Sequence, residues 1–285
     1  MRVTRTKAEL RAALEPARRH GRTIGLVPTM GSLHEGHLSL LRAARPRCDV
    51  VVMSLFVNPA QFGHGEDLES YPRDEARDGE LAEREGVDLL YAPPVEEVYP
   101  EGFATTVEVG GGLTEVLCGA PGLRGAGHFR GVATVVAKLL NSVGPDVAYF
   151  GQKDAQQAIV VQRLVRDLDF PVQIEVLPTV REPDGLAMSS RNSYLSPEER
   201  RRAAALIRAL RAAEAVAASG ETRPEVALEA ARAELERAGI EPEYLEARHA
   251  EGLAPAESLN GRPVLVAVAA RVGQARLIDN LVIGG

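Results

Sequence analysis

At 285 residues the chain is longer than one typical domain and within the reach of two. A hydrophobic fraction of 45% supplies a real core, and a formal charge of -7 argues against a dedicated nucleic-acid binder, which carries a basic surplus. No apolar run is long enough to span a membrane, no signal segment is expected, and Cys48 and Cys118 form no CxxC pair, so a reduced cytoplasmic protein with no membrane attachment is expected.

In chain order, the first residues run into a charged helical pattern. Short runs rich in Val, Ile and Leu at 23–27, 50–57, 87–91, 147–150 and 172–177 then read as buried strands bounded by Gly, Pro, Asn or Asp. Helical patterns at 38–44, 74–85, 132–142 and 155–167 lie between them. This alternation predicts an α/β fold, a Rossmann-like doubly wound parallel sheet whose ligands bind beyond the carboxyl ends of the strands. The glycine-dense segment 110–131 reads as loop, either a mobile cover or a surface excursion.

The pattern changes at Ser196-Pro197-Glu198-Glu199, a helix start with an N-cap, an early Pro and acids near the positive end. One long Ala/Arg/Leu helix to about residue 218, a second at 224–237 and strands at 244–249, 264–272 and 276–281 predict a smaller α+β domain. The expected division is 1–180 and 181–285.

Four segments follow strands or join the two halves. The first is Pro28-Thr29-Met30-Gly31-Ser32-Leu33-His34-Glu35-Gly36-His37. His34 and His37 share one side of a helix start whose free N–H groups favour phosphate, and Gly31 and Gly36 let a ligand approach the backbone. Two imidazoles there can donate hydrogen bonds to developing phosphate charge. A polar cap or an HxxH metal chelate are the plainer readings, and the second lacks a nearby ligand cluster in the sequence. The second segment, Phe56-Val57-Asn58-Pro59-Ala60-Gln61-Phe62, throws Asn58 and Gln61 onto the rim, where uncharged amides suit a hydroxy acid. The third places Gly151, Gln152, Lys153 and Asp154 after a strand, with Gln157 one turn beyond Lys153. The fourth, from Thr179 to Asn192, carries Val180 and then Met188-Ser189-Ser190-Arg191, hydroxyls and a guanidinium able to clamp phosphate at an interdomain cleft.

PTMGSLHEGH, FVNPAQF, FGQKDAQQ and REPDGLAMSSRN, in this order and spacing, resemble the pantothenate synthetase (pantoate–β-alanine ligase) family over nearly the whole chain. HEGH is similar to the HIGH element of class I aminoacyl-tRNA synthetases, and MSSR stands where their second phosphate-binding loop does. The resemblance implies activation of pantoate by Mg-ATP to an adenylate, then capture by β-alanine, in a homodimer whose magnesium is held mainly by ATP phosphates. By motif, Met30 to His37, Gly151 to Asp154, Val180 and Met188 to Arg191 would bind ATP, with His34, His37 and Lys153 catalytic and His37 the candidate acid. Gln61 and Gln157 would bind pantoate, and Gln61 with Asn58 would lie near β-alanine. No protein metal site is implied. The chain departs from the family pattern at Gln152, usually Glu, and at Arg124-Gly125-Ala126-Gly127, where Arg-Pro-Gly is common; Arg124 therefore receives no role. Another HIGH-type nucleotidyltransferase acting on a different small acid or phosphate, an RNA-binding relative without catalysis and a nucleotide sensor are the alternatives.

Overall fold

The computed structural model describes residues 1–284 except 64, 65 and 67. Its larger sheet has six parallel strands in the order β1-β4-β3-β2-β5-β6: β1 Arg2–Thr4, β2 Ile24–Thr29, β3 Val50–Leu55, β4 Leu89–Tyr91, β5 Val147–Gly151 and β6 Gln173–Leu177. Helices α1 Lys7–Arg19, α2 Glu35–Ala44, α3 Glu75–Arg84, α4 Val95–Val98, α5 Gly125–Val143 and α6 Ala155–Asp167 accompany it. Two apolar clusters cover the sheet, one gathering Leu10, Leu14, Leu26 and Val136, the other Val27, Leu41, Met53 and Leu90. The Rossmann-like α/β expectation holds.

The chain runs from β2 outward to β3 on one side and pairs β2 with β5 on the other, so the strand order reverses beside β2. Such a reversal opens a crevice at the carboxyl ends. Here a proline widens it. Even-numbered residues of β2 face β5: Ile24 N–H donates to the Asp146 side chain, and its carbonyl accepts from Asp146 N–H. Pro28 lies on that same side and has no N–H to give. Pairing with β5 ends at Leu26↔Ala148, while pairing with β3 continues to Thr29↔Leu55.

A second, antiparallel sheet has the order β7-β8-β9: Pro242–His249, Val264–Val272 and Ala275–Ile283. Helices α7 Pro197–Ala203, α8 Ala205–Ala218 and α9 Pro224–Arg237 pack on it. Leu265 and Ala267 of β8 also join the core of the larger sheet.

Four elements differ from expectation. The helix after Ser196, which has the full capping box with Glu199, turns at Ala204 instead of continuing. A run of alanines carries no signal for such a bend, and the bend buries Ala203 and Ala205 completely. Helix α5 begins at Gly125, well before residue 132, because burial of His128 and Phe129 outweighs the low helix propensity of its glycines. Gly131 is needed there: a Cβ would meet the Ala60 carbonyl oxygen at 2.1 Å. The edge strand β1 had no counterpart in the sequence pattern, and β6, expected to be buried, is a partly exposed edge.

Candidate active site

A cavity of ≈ 270 Å³ opens at the strand reversal. One wall is the start of α2. Gly31, at φ +89, and Ser32, at φ +52, turn the chain after β2, a conformation that favours glycine. Asp78, buried on α3, stabilises this turn by accepting the Ser32 and Leu33 N–H groups at 2.8 Å each.

His34 is the N-cap of α2. Its Nδ1 accepts from Gly36 N–H at 3.2 Å, and His37 Nδ1 accepts from His34 N–H at 3.4 Å. An imidazole nitrogen that accepts carries no proton, so the Nε2 atoms hold the protons of both neutral rings. The rings lie 4.1 Å apart. Burial, helped by Lys153, pushes His34 down to about 4; burial and the neighbouring His34 push His37 down to about 3. At neutral pH the pair thus forms two hydrogen-bond donors, an arrangement that favours charge stabilisation over proton delivery.

A second wall carries Gly151, Lys153, Asp154 and Gln157 from the end of β5 and the start of α6, and Val180, Met188, Ser189, Ser190 and Arg191 from the segment after β6. Burial pushes the Asp154 carboxyl up, but Lys153, Arg124 and Arg191 outweigh it and hold the group below the usual range. The 180–192 segment folds as a short hairpin, with Met188 N–H donating to Val180 O and Arg181 bridged to Ala187. Ser189 caps the turn that follows by accepting Arg191 N–H. The Arg191 guanidinium lies 5.9 Å from the Tyr71 ring centre.

Asn58 and Gln61 form the floor. Asn58 is 1% exposed and its amide is fully engaged. Oδ1 accepts from Tyr99 Oη at 2.7 Å and from Ala60 N–H at 3.3 Å; Nδ2 donates to Gly131 O and to Gln61 Oε1, both at 3.1 Å. Because Ala60 N–H can only donate and Gly131 O can only accept, the amide has one orientation. Gln61 is oriented in turn: its Oε1 faces Asn58, and its Nε2 lies 3.0 Å from the Met30 sulfur, another lining group. Gln61 thereby offers a donor to an incoming oxygen, while Asn58 has no group left to offer. Burial pushes the Tyr99 hydroxyl up to about 12, which keeps it a donor at neutral pH.

The sequence-selected residues Met30, His34, Gly36, His37, Asn58, Gln61, Gly151, Lys153, Asp154, Gln157, Val180 and Met188 to Arg191 all line this one cavity. Gly31, Ser32, Leu33, Glu35 and Gln152 do not. Gly31 to Leu33 form the turn on Asp78, Glu35 pairs with Arg42, and the Gln152 side chain reaches Asn280. Several cavity residues were given no role from the sequence. Arg124 lines it, paired with Glu66 at 3.0 Å and with a buried Nε that has no hydrogen-bond partner among the described residues. His128 Nδ1–H donates to Gln61 O at 2.6 Å, leaving its Nε2 to accept from Arg124 at 3.3 Å; burial and Arg124 push this ring down to about 3. Gln156, beside Gln157 but facing away, accepts from Cys118 N–H and donates to the Leu113 and Val116 carbonyls. It pins the middle of the glycine-dense segment, which is thus a built wall ending in helix α5.

A family model described as Pantoate-beta-alanine ligase matches residues 2–282. The chain belongs to this family. A pantothenate synthetase of Moorella thermoacetica is 55% identical over 284 residues, 99% of each chain. The crystal structure of the pantothenate synthetase of Thermus thermophilus superposes with a TM-score of 0.91 at 52% identity, covering 99% of each chain. A pantoate–β-alanine ligase from Francisella tularensis, complexed with β-γ ATP and β-alanine, superposes with a TM-score of 0.82 at 31% identity, over 99% of this chain and 97% of that one.

Proposed function

We propose that the cavity joins pantoate to β-alanine in two steps driven by ATP. In the first, a pantoate carboxylate oxygen attacks the α-phosphorus, and the bond to the β-phosphate oxygen breaks to release pyrophosphate. In the second, the β-alanine amine attacks the acyl carbon of the adenylate, AMP leaves, and the amine loses a proton to give pantothenate. Neither step needs a covalent protein nucleophile; positioning and charge stabilisation suffice.

The observation that carries the reading is the convergence, in one cavity, of cationic and N–H groups suited to phosphates with amides suited to a hydroxy acid. His34 and His37 donate from Nε2 to phosphate oxygens at the α2 start, and Lys153 neutralises charge from the second wall. Met188, Ser189, Ser190 and Arg191 close on the nucleotide, with Val180 and Gly151 along its edge. Gln61 and Gln157 hold pantoate. Asn58, consumed by its own hydrogen bonds, serves β-alanine through the orientation it imposes on Gln61. Among the described residues no group of three or more His, Cys, Asp or Glu could hold a metal ion. In this reading magnesium comes coordinated mainly by ATP phosphates and water.

In this reading residues 1–180 bind nucleotide and pantoate, and residues 181–285 form the smaller unit over the site. The chain works as a cytoplasmic homodimer, which light scattering tests directly. Cys48 and Cys118 are both free thiols, as a reducing compartment favours. Among the described residues no helix is long and apolar enough to cross a membrane. ATP–pyrophosphate exchange tests the chemistry. Exchange that requires pantoate, followed by AMP release on adding β-alanine, is the expected result. Exchange with a different small acid, or none in the presence of pantoate, overturns it.

A further inference from the structure

Strand β9 carries Asp279 and Asn280, polar side chains that are only 3% and 4% exposed. Buried polar groups need partners, and the partners here lie on the two loops that build the nucleotide wall. Asn280 Nδ2 donates to the carbonyls of Gln152 and Lys153, each at 3.0 Å, and its Oδ1 accepts from Gln152 Nε2 at 3.1 Å. Asp279 accepts both Arg181 Nη groups, at 2.6 and 3.0 Å, and Arg181 also donates to Gly185 O inside the hairpin that leads to Met188 and Ser189. Consecutive strand residues point to opposite faces, so one dipeptide reaches two separate loops. Its own place is set by pairing with Val268 and Ala267 of the buried strand β8.

We infer that Asp279 and Asn280 are positioning residues for adenylate formation, setting the gap between the Lys153 loop and the Ser189–Arg191 loop. The inference deepens the proposed function and rests on it for the identity of the step. Asn280 acts on the backbone carbonyls of Gln152 and Lys153, which fix where the Lys153 chain leaves the loop. Asp279 acts on the Arg181 hairpin, which fixes where Ser189 begins. Neither side chain takes part in bond making. A misplacement on the scale of 1 Å costs about 100-fold in rate.

Asn280→Asp keeps the shape and the acceptor for Gln152 Nε2 but removes the donor to the two carbonyls; Asn280→Ala removes both. In pantoate-dependent ATP–pyrophosphate exchange by the full-length chain, each variant should lower kcat by about 10- to 100-fold with the pantoate KM within about twofold. Added to Lys153→Ala, Asn280→Ala should cause no further loss, because both act through the same amine. Losses that multiply in the double variant, a loss carried by pantoate KM, or near-normal kcat in both single variants would overturn the inference. Backbone hydrogen exchange at residues 151–155 reads loop placement without turnover: faster exchange in Asn280→Ala is expected, and unchanged protection overturns the inference. Absence of pantoate-dependent exchange in the unmodified chain counts against the proposed function alone.

Discussion

The α2 wall of the cavity is organised almost entirely by its own surroundings, whereas the second wall depends on a strand about a hundred residues or more away. His34 and His37 are oriented by backbone N–H groups two and three residues from each ring, and one carboxylate, Asp78, secures the turn before them. Lys153 and the Ser189–Arg191 loop are oriented through Asn280 and Asp279. A locally built wall is rigid once its helix forms. A wall built by distant contacts is complete only when both sheets are in place, and every residue of that linkage is a point where folding and activity are joined.

The largest effects should come from groups that face phosphate on either wall. His37→Ala and Lys153→Ala should each reduce pantoate-dependent exchange by about 100-fold or more, the scale of losing a preorganised donor, with the melting temperature nearly unchanged. Near-normal exchange in either variant removes that residue from its assigned place. Asp279→Ala breaks a buried ion pair and should destabilise the fold by about 3 kcal/mol in chemical denaturation. The pair sits with side-chain exposures of 18% and 2%. Asp78→Ala, on the other wall, leaves two N–H groups without their acceptor and should cost about 2 kcal/mol. Equal losses of activity per unit of lost stability in these two variants would erase the distinction between the walls.

A smaller effect is expected from Tyr99→Phe, which frees Asn58 Oδ1 and weakens the orientation of Gln61. Pantoate KM should rise several-fold with ATP KM unchanged, at a stability cost of about 1 kcal/mol; a rise in ATP KM instead places Gln61 elsewhere. A further effect concerns pH. His34, His37 and His128 titrate near 4, 3 and 3 when folded, against an ordinary 6.5. Between those values the unfolded chain binds more protons than the folded one. Their contribution is therefore complete above about pH 6.5, declines as pH falls below it, and is lost once pH has passed about 4 for His34 and 3 for His37 and His128. Denaturation midpoints measured from pH 7 to pH 4 should fall, and His128→Gln should flatten the slope.

Much of the α2 wall is legible in the sequence, because a strand, a turn glycine and an HxxH helix start are neighbours along the chain. The same holds for Lys153 and Gln157, one helical turn apart. The roles of Asp279 and Asn280 were not legible: in sequence they are two polar residues inside a strand, and their partners appear only when the two sheets meet. Helix α5 was underestimated for a related reason, since its glycines read as loop until their contact with the Asn58–Gln61 turn is seen. Arg124 carried no role because Arg124-Gly125-Ala126-Gly127 departs from the family's Arg-Pro-Gly, yet Arg124 lines the cavity. Asn58 shows the reverse case, a residue that the sequence singles out and that lines the cavity, yet whose amide hydrogen bonds all go to protein groups.

The proline in β2 has a mechanical consequence. Two adjacent parallel strands lengthen their ladder wherever donors and acceptors continue to face each other, and here the ladder halts for want of a single hydrogen. Pro28 works as a zipper stop, fixing where β2 and β5 part and so how wide the cleft stands before any ligand arrives. An alanine at this position would restore the missing donor and let the seam close by one further rung, trading access to the nucleotide for a longer sheet.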